Sequence, residues 1–188
     1  MLDNLYQILS ILLLAAVLWA SLSIVYVSWK NGISPMPSSA PVRQAVAEEI
    51  SRLSKKGVIV EAGSGWGTLA LHVAKRCRGW RIVGIENSAV PLWVSRLIAR
   101  LSRASVTFVR GDLYAYSYEE VELVLCYLYP GAMKRLSPIF QEQLKPGARI
   151  ISVCFSLPGW QPDKIITCRD LYRTKIYVYD VKNSVIEK

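Results

Sequence analysis

The sequence lacks the residue clusters that mark metal-bound and disulfide-bonded small folds. It has four cysteines and one histidine in 188 residues, and no two cysteines stand in a C-x-x-C spacing. This argues against a zinc ribbon and a disulfide scaffold, favours a reducing compartment, and predicts no metal site. Acidic residues are scarce too, because 14 Asp and Glu stand against 23 Lys and Arg, a net charge of +9. Such an excess favours an anionic neighbour, either nucleic acid or a membrane surface with anionic lipid.

Charge is absent from a long stretch near the N-terminus. The 26 residues between Asp3 and Lys30 carry none. As a helix rising about 1.5 Å per residue they would span roughly 39 Å, whereas a hydrocarbon core is about 30 Å thick. Tyr6, Tyr26 and Trp29 stand near the two ends, as in the aromatic belts of membrane proteins. We therefore predict a transmembrane helix at residues 4–29.

A cleaved signal peptide and a buried helix are the alternatives for this segment. A signal peptide favours a positive n-region and a shorter apolar core, but only Asp3 is charged here. The basic residues follow the segment instead, at Lys30, Arg43, Arg52, Lys55 and Lys56. By the positive-inside rule, we expect a single-pass membrane protein with its body on the cytoplasmic or matrix side.

The remaining sequence alternates between strand and helix patterns. A Pro/Ser-rich connector at 30–43 is predicted to lead into one domain at 44–188. Buried strands are predicted at 57–63, 81–86, 105–110, 121–128 and 148–155, and helices between them, of which 130–144 should be kinked or broken at Pro138. This order predicts an α/β fold with a mostly parallel sheet, closed by an antiparallel hairpin at 164–181.

A glycine loop is the strongest chemical motif. The segment Glu61-Ala-Gly63-Ser-Gly65-Trp-Gly67 follows a predicted strand and opens a predicted helix. Glycines at this position let the backbone turn sharply and approach a ligand, toward which the helix N-terminal amides point. The spacing is G-x-G-x-G, not the G-x-G-x-x-G of dinucleotide-binding proteins.

Two acidic residues end the next two strands at the same predicted sheet edge. Glu86 is placed to accept both ribose hydroxyls of an adenosine, and Asp112 to accept from an adenine amino group. The alternative is a tight turn beside two solvated acids. The coincidence of strand, glycines and both acids favours nucleotide binding.

With these motifs the sequence resembles the class I, seven-strand S-adenosylmethionine-dependent methyltransferases over about residues 35–180. More narrowly, it resembles the membrane-anchored lysine methyltransferases that include the enzyme for the ATP synthase c-subunit. Besides the N-terminal apolar helix, that likeness rests on Pro37-Ser38-Ser39, on Cys126-Tyr127-Leu128-Tyr129-Pro130, on residues 144–152, and on Phe155 with PGWQPDK at 158–164. The sequence departs from this family at three positions. The family often has Asp where Glu61 stands, commonly has an acidic residue where Trp66 stands, and usually has Arg or a similar residue where Thr68 stands.

The resemblance implies a Rossmann-like methyltransferase domain preceded by one transmembrane helix, with S-adenosylmethionine as cofactor. The implied cofactor-binding residues are Glu61, Gly63, Ser64, Gly65, Gly67, Glu86, Asn87, Asp112 and Leu113. Ser38 and Ser39 are expected to fold over the cofactor, and Pro130 and Trp160 to line the substrate channel. Tyr127 is expected to orient the substrate. Each of these roles has a structural alternative. Ser38 and Ser39 would then belong to a simple connector, Tyr127 would be a core residue, and Trp160 would anchor its loop.

The sequence therefore predicts a membrane-anchored methyltransferase that modifies a lysine of a membrane-associated protein. Methylation of a lipid headgroup or of RNA is an alternative, although no basic–aromatic RNA-binding motif stands out and no stable nucleic-acid partner is expected. An inactive, membrane-tethered nucleotide-binding scaffold is a third possibility, which Trp66 in the glycine loop favours.

Overall fold

The structure is a computed structural model that describes residues 2–31 and 37–182. Residues 32–36 of the predicted connector and residues 183–188 of the predicted domain lie outside the described part. The chain divides into two compact units between residues 35 and 36.

The first unit is one helix, α1, at Leu2–Asn31. Within its stretch Asn4–Tyr26, an 18-residue window has a mean hydropathy of 2.6, and none of that window is buried. By length and composition it could cross a membrane, and an N-terminal signal sequence would meet the same criteria.

The second unit alternates helices and strands, as the sequence pattern predicts. Its elements are α2 (Ala40–Ser51), β1 (Val58–Ala62), α3 (Thr68–Arg76), β2 (Arg81–Glu86), α4 (Ala89–Leu101), β3 (Val106–Arg110), β4 (Leu123–Cys126), α5 (Pro130–Gln143), β5 (Arg149–Val153), β6 (Lys164–Thr167) and β7 (Lys175–Asp180). Helix α2 begins inside the segment predicted as connector.

The seven strands form one sheet in the order β3-β2-β1-β4-β5-β7-β6. Strands β1 to β5 are parallel, whereas β7 is antiparallel to both β5 and β6. This confirms the predicted Rossmann-like α/β sheet with a closing antiparallel hairpin. The chain order reverses between β1 and β4, and such a switch point opens a crevice at the carboxyl ends of parallel strands.

The central strands β1, β2, β4 and β5 are buried on both faces because helices cover both. Helices α2, α3 and α4 pack on one face, where Val46, Leu69 and Leu92 join the core. Helix α5 packs on the other face through Met133 and Phe140. The apolar runs of these central strands thus follow from their burial on both faces.

Helix α5 runs without a break through Pro138, so the predicted break is wrong, whereas a kink at Pro138 stays a prediction. A proline inside a helix removes one backbone hydrogen bond and costs about 3 kcal/mol. Leu136 and Phe140, on either side of it, are fully buried. Burial of two such side chains contributes about 3–6 kcal/mol, which offsets the local cost.

Candidate cofactor and substrate site

The glycine loop joins β1 to α3 at the switch point of the sheet. Gly63 and Gly67 both have φ of +73°, a left-handed conformation that other residues adopt only with strain. Space is restricted as well: a Cβ on Gly67 would lie 2.5 Å from the Phe108 ring, and one on Gly63 would lie 2.6 Å from Leu128. Gly67 therefore requires glycine for two independent reasons, whereas at Gly63 the backbone conformation is the main reason.

Hydrogen bonds fix the path of this loop. The Ser64 amide donates to the Ile85 carbonyl at 2.8 Å, and the Gly67 amide donates to the Ser64 carbonyl at 2.8 Å. The Ser64 hydroxyl is buried and has no hydrogen-bond partner among the described residues. An unpaired buried hydroxyl is costly, so the loop holds a polar group that a ligand could satisfy.

Glu86 lies against the glycine loop. Its Oε2 accepts from the Gly65 amide at 2.7 Å and its Oε1 accepts from the Ser88 amide at 2.7 Å. The side chain is buried, as the acceptor predicted for a ribose should be. A carboxylate can accept about four hydrogen bonds, so two sites remain for hydroxyl donors.

Glu61 is a second buried acid beside the loop. It is 4% exposed, and its Oε2 accepts from the Ala70 amide at 3.0 Å. The pKa of Glu61 is raised to about 8, chiefly because the carboxyl is buried. The hydrogen bond from the Ala70 amide lowers this pKa, and the negative charge of Glu86 raises it. The carboxyl is consequently protonated at neutral pH unless a cation is placed beside it.

The third predicted acid lies further out. Asp112 is exposed, and its Oδ1 accepts from the Tyr114 amide at 2.9 Å. Its neighbour Gly111 donates its amide to the Glu86 carbonyl at 3.2 Å, which joins the ends of β2 and β3. Leu113 is half-buried, and its side chain lies 3.7 Å from where a Cβ of Gly63 would be.

Asn87, the remaining predicted cofactor ligand, follows β2 directly and is exposed. Its Oδ1 accepts from the Ser88 hydroxyl at 3.2 Å. The nine predicted cofactor residues are thus grouped around one sheet edge. Each lies near the carboxyl end of β1, β2 or β3 or in the loop that follows that strand.

The predicted cover segment contacts the start of α3. Ser38 is buried, its amide donates to the Thr68 hydroxyl at 3.2 Å, and the two hydroxyls are 3.0 Å apart. Ser39 donates to Asp170 Oδ2 at 3.5 Å. Because Thr68 directly follows the glycine loop, these contacts bring residues 38 and 39 beside it.

Tyr127 follows β4 and is half-buried. Burial raises the pKa of its phenol, and the charges of Cys154 and Asp170 raise it further. The phenol therefore stays protonated at neutral pH and can both donate and accept hydrogen bonds. Pro130 is exposed at the first turn of α5, two residues beyond Leu128.

Trp160 makes the contacts of a loop anchor. Its Nε1 donates to the Ser137 hydroxyl at 3.1 Å, and that hydroxyl donates to the Pro158 carbonyl at 2.7 Å. Its ring meets Tyr179 edge to face, with centroids 6.1 Å apart. These contacts fix the loop after β5 to α5 and β7, and the role of Trp160 in a substrate channel stays a prediction.

Two features of this edge were not in the predicted site. Asp170, at the tip of the β6–β7 hairpin, accepts from the Thr174 amide at 2.7 Å and hydroxyl at 2.6 Å. Arg135 lies 3.7 Å above the Tyr114 ring. A hairpin was predicted at 164–181, but no local pattern indicated that its turn would reach Ser39 or that Arg135 would meet Tyr114.

The amino-acid sequence is similar to those of known lysine methyltransferases. The chain is 33% identical over 116 residues to the lysine N-methyltransferase of the ATP synthase c-subunit in Xenopus laevis, which covers 60% of this chain and 50% of that protein. It is 28% identical over 173 residues to the adenine nucleotide translocase lysine N-methyltransferase of Mus musculus, which covers 85% of this chain and 74% of that one.

A solved structure shares the fold. The RNA methyltransferase of Salinibacter ruber, in complex with S-adenosyl-L-homocysteine, superposes with a TM-score of 0.71 at 28% identity, covering 81% of this chain and 98% of that one. The model of the ANTKMT methyltransferase domain matches residues 61–164, more than half of the chain. The chain therefore belongs to the ANTKMT methyltransferase family and is a class I, S-adenosylmethionine-dependent methyltransferase.

Proposed function

We propose that this enzyme methylates a lysine side chain of a membrane-associated protein. The observation that carries the proposal is the family match over residues 61–164, which contains the glycine loop, Glu86, Tyr127 and Trp160. The two eukaryotic relatives are named for lysine methylation of the ATP synthase c-subunit and of adenine nucleotide translocase. The chain spans only half the length of the first, so a substrate of this class is our inference.

The chain's own residues fit S-adenosylmethionine. The cofactor brings an electrophilic methyl group on a sulfonium, together with hydroxyl and ammonium donors. The Ser64 hydroxyl lacks a partner among the described residues, and Glu86 retains acceptor sites. We propose that Glu86 accepts from the ribose, that Asp112, Asn87 and Leu113 hold the base, and that Gly63 and Gly67 give the backbone room for the ligand.

Glu61 would complete the cofactor site electrostatically. Its raised pKa leaves it neutral at pH 7 without a ligand. A cation beside it favours the carboxylate, because opposite charges stabilise each other strongly at low dielectric. Cofactor binding would thus release a proton from Glu61.

The lysine must reach the site as a free amine. Its unperturbed pKa is about 10.4, and burial next to a cation lowers that value. We propose that Tyr127, whose phenol stays neutral, accepts a hydrogen bond from the amine and directs its lone pair. Alignment of the two reactants can lower the activation barrier by about 7–11 kcal/mol. No general acid is required, because the leaving group is a neutral thioether.

The apolar helix α1 would confine this reaction to the bilayer surface. Residues 4–29 carry no charge, and basic residues are concentrated after them. We propose that α1 spans the membrane once, with the methyltransferase domain on the cytoplasmic or matrix side. Ser38 and Ser39, inside the predicted connector, would cover the cofactor.

Cofactor binding tests the site. Titration calorimetry on the full chain in detergent micelles should detect S-adenosylmethionine, and Glu86→Ala should weaken its affinity roughly 10- to 100-fold, because hydrogen bonds to a charged acceptor contribute about 1.5–3 kcal/mol. Glu120→Ala is the matched control, since Glu120 is exposed and pairs with Lys145 away from the loop. Equal affinities for Glu86→Ala and the parent would refute the placement of the ribose.

Mass spectrometry of membrane fractions tests the substrate. Fractions from cells with and without the gene should differ in methylation of a lysine in a membrane protein. Loss of that difference in a strain carrying Tyr127→Phe would support the proposed role of the phenol. Identical lysine methylation with and without the gene would refute the proposed substrate class.

RNA methylation is the second candidate, favoured by the Salinibacter ruber relative and by the net charge of +9. Incubation of the full chain with labelled S-adenosylmethionine and total cell extract distinguishes the two candidates. Label in protein favours the lysine reaction, whereas label removed by ribonuclease favours RNA.

A further inference from the structure

Helix α4 has an apolar face that the folded unit does not cover. Trp93, Leu97 and Leu101 are spaced four residues apart and thus lie on one side of the helix, with exposed fractions of 66%, 40% and 77%. Ile98 extends this side and is 39% exposed. The buried side of the helix, with Leu92 and Ala99, faces the core. Contiguous exposed apolar residues of this kind are typical of interaction surfaces.

Positive charge surrounds this face. From Asn87 to Arg110 the sequence contains four arginines and no Asp or Glu. Arg100 and Arg103 are exposed, and Arg96 is exposed while its Nε donates to the Phe108 carbonyl at 2.9 Å. The row Trp93, Leu97, Ile98 and Leu101, flanked by these three arginines, is called the α4 face below.

We propose that the α4 face lies in the interfacial region of a bilayer that contains anionic lipid. Helices that rest in this region combine Trp and Leu on one side with Lys or Arg beside them. Tryptophan favours the headgroup level, and each nearby arginine adds attraction to anionic lipid. The proposal deepens the proposed membrane location of the enzyme and rests on it.

Charge favours lipid over a second copy of the chain. In a two-fold contact the same patch meets itself, so the arginines of one α4 face would lie near those of the other with no acid from residues 87–110 between them. Like charges in contact are unfavourable, whereas phosphate headgroups complement guanidinium groups.

The position of α4 connects this face to catalysis. The helix begins directly after the β2 edge, where the Ser88 amide donates to Glu86 at 2.7 Å. The first turns of α4 are therefore next to the proposed ribose site. A bilayer on the α4 face would keep the cofactor pocket close to the lipid surface, within reach of a lysine presented there.

Photo-crosslinking of the full chain in lipid nanodiscs tests this proposal. Leu97→p-benzoylphenylalanine places the probe on the α4 face, and Gln141→p-benzoylphenylalanine places it on an exposed position of α5, across the sheet. We expect lipid adducts from position 97 in discs of phosphatidylcholine with phosphatidylglycerol, fewer in phosphatidylcholine alone, and few from position 141. Adducts to a second copy, or equal lipid yields from the two positions, would overturn the proposal.

A charge variant supplies an independent measurement. Arg100→Gln with Arg103→Gln should reduce lipid adducts from position 97, since each arginine near an anionic surface contributes roughly fivefold to binding. Arg96 is left intact because it bonds to β3. An unchanged yield would contradict the proposed headgroup contact. Cofactor binding and methyl transfer, measured in the same discs, report on the proposed function separately from the lipid adducts.

Discussion

Replacing Glu61 by glutamine should remove a large pH dependence from the stability of the protein. The native pKa of Glu61 is about 8 against an ordinary value of 4.5, chiefly because the carboxyl is buried. Below pH 4.5 both folded and unfolded chains hold the proton, so the group costs nothing. Between the two pKa values only the unfolded chain releases it, so folding loses about 1.4 kcal/mol per pH unit.

Above pH 8 the full cost applies. The 3.5-unit difference corresponds to about 5 kcal/mol, a large part of the stability of a domain. Glutamine stays neutral at every pH and retains an oxygen that can accept from the Ala70 amide. Glu61→Gln should therefore match the parent at about pH 4 and exceed it progressively from there up to about pH 9.

Urea unfolding of the full chain in detergent micelles measures this difference, with the fluorescence of buried Trp80 as one reporter. Other groups titrate in the same range, but they contribute equally to both proteins and cancel in the comparison. Glu142→Gln, at an exposed site on α5, is the control and should follow the parent. Parallel stabilities of the parent and Glu61→Gln from pH 5 to 9 would refute the burial argument.

Two further substitutions test the framework around the site. Glu49 is 5% exposed, and its carboxylate lies 2.6 Å from Lys164 and 3.9 Å from Arg149. Because Arg149 is the first residue of β5, this cluster lies at the sheet edge opposite the glycine loop. Glu49→Gln should therefore lower the free energy of unfolding by about 1–3 kcal/mol in denaturant melts and leave cofactor affinity unchanged; a weakened affinity would contradict this placement. Gly67→Ala should cost about 1–3 kcal/mol more than Gly147→Ala in the same melts, because both have positive φ but only Gly67 also meets other side chains; equal costs would show that the loop can yield.

The sequence was sufficient to predict the sheet because its determinants are local. Short apolar runs bounded by turn residues indicated the five parallel strands and the hairpin, and a strand–glycine–helix junction indicated a ligand at the switch point. The family membership and the cofactor class are confirmed. The individual roles of the predicted site residues, such as Tyr127, stay predictions.

The missed features depend on contacts between distant segments. Ser39 and Asp170 are 131 positions apart, and Arg135 meets Tyr114 across 21. No periodicity relates such pairs, since their approach follows from how crossovers stack on the sheet. Pro138 shows the converse, because burial of its neighbours overrode a reliable local preference for breaking a helix.

The place of β7 in the sheet has a consequence for synthesis of the chain. This last strand lies between β5 and β6, so β6 pairs with nothing else in the sheet until Lys175–Asp180 leaves the ribosome. Until then the edge of β5 is open, and open edges promote aggregation. A product that stops before residue 175 would therefore be a target for chaperones and proteases, and the nascent enzyme acquires its complete sheet only once β7 has been synthesised.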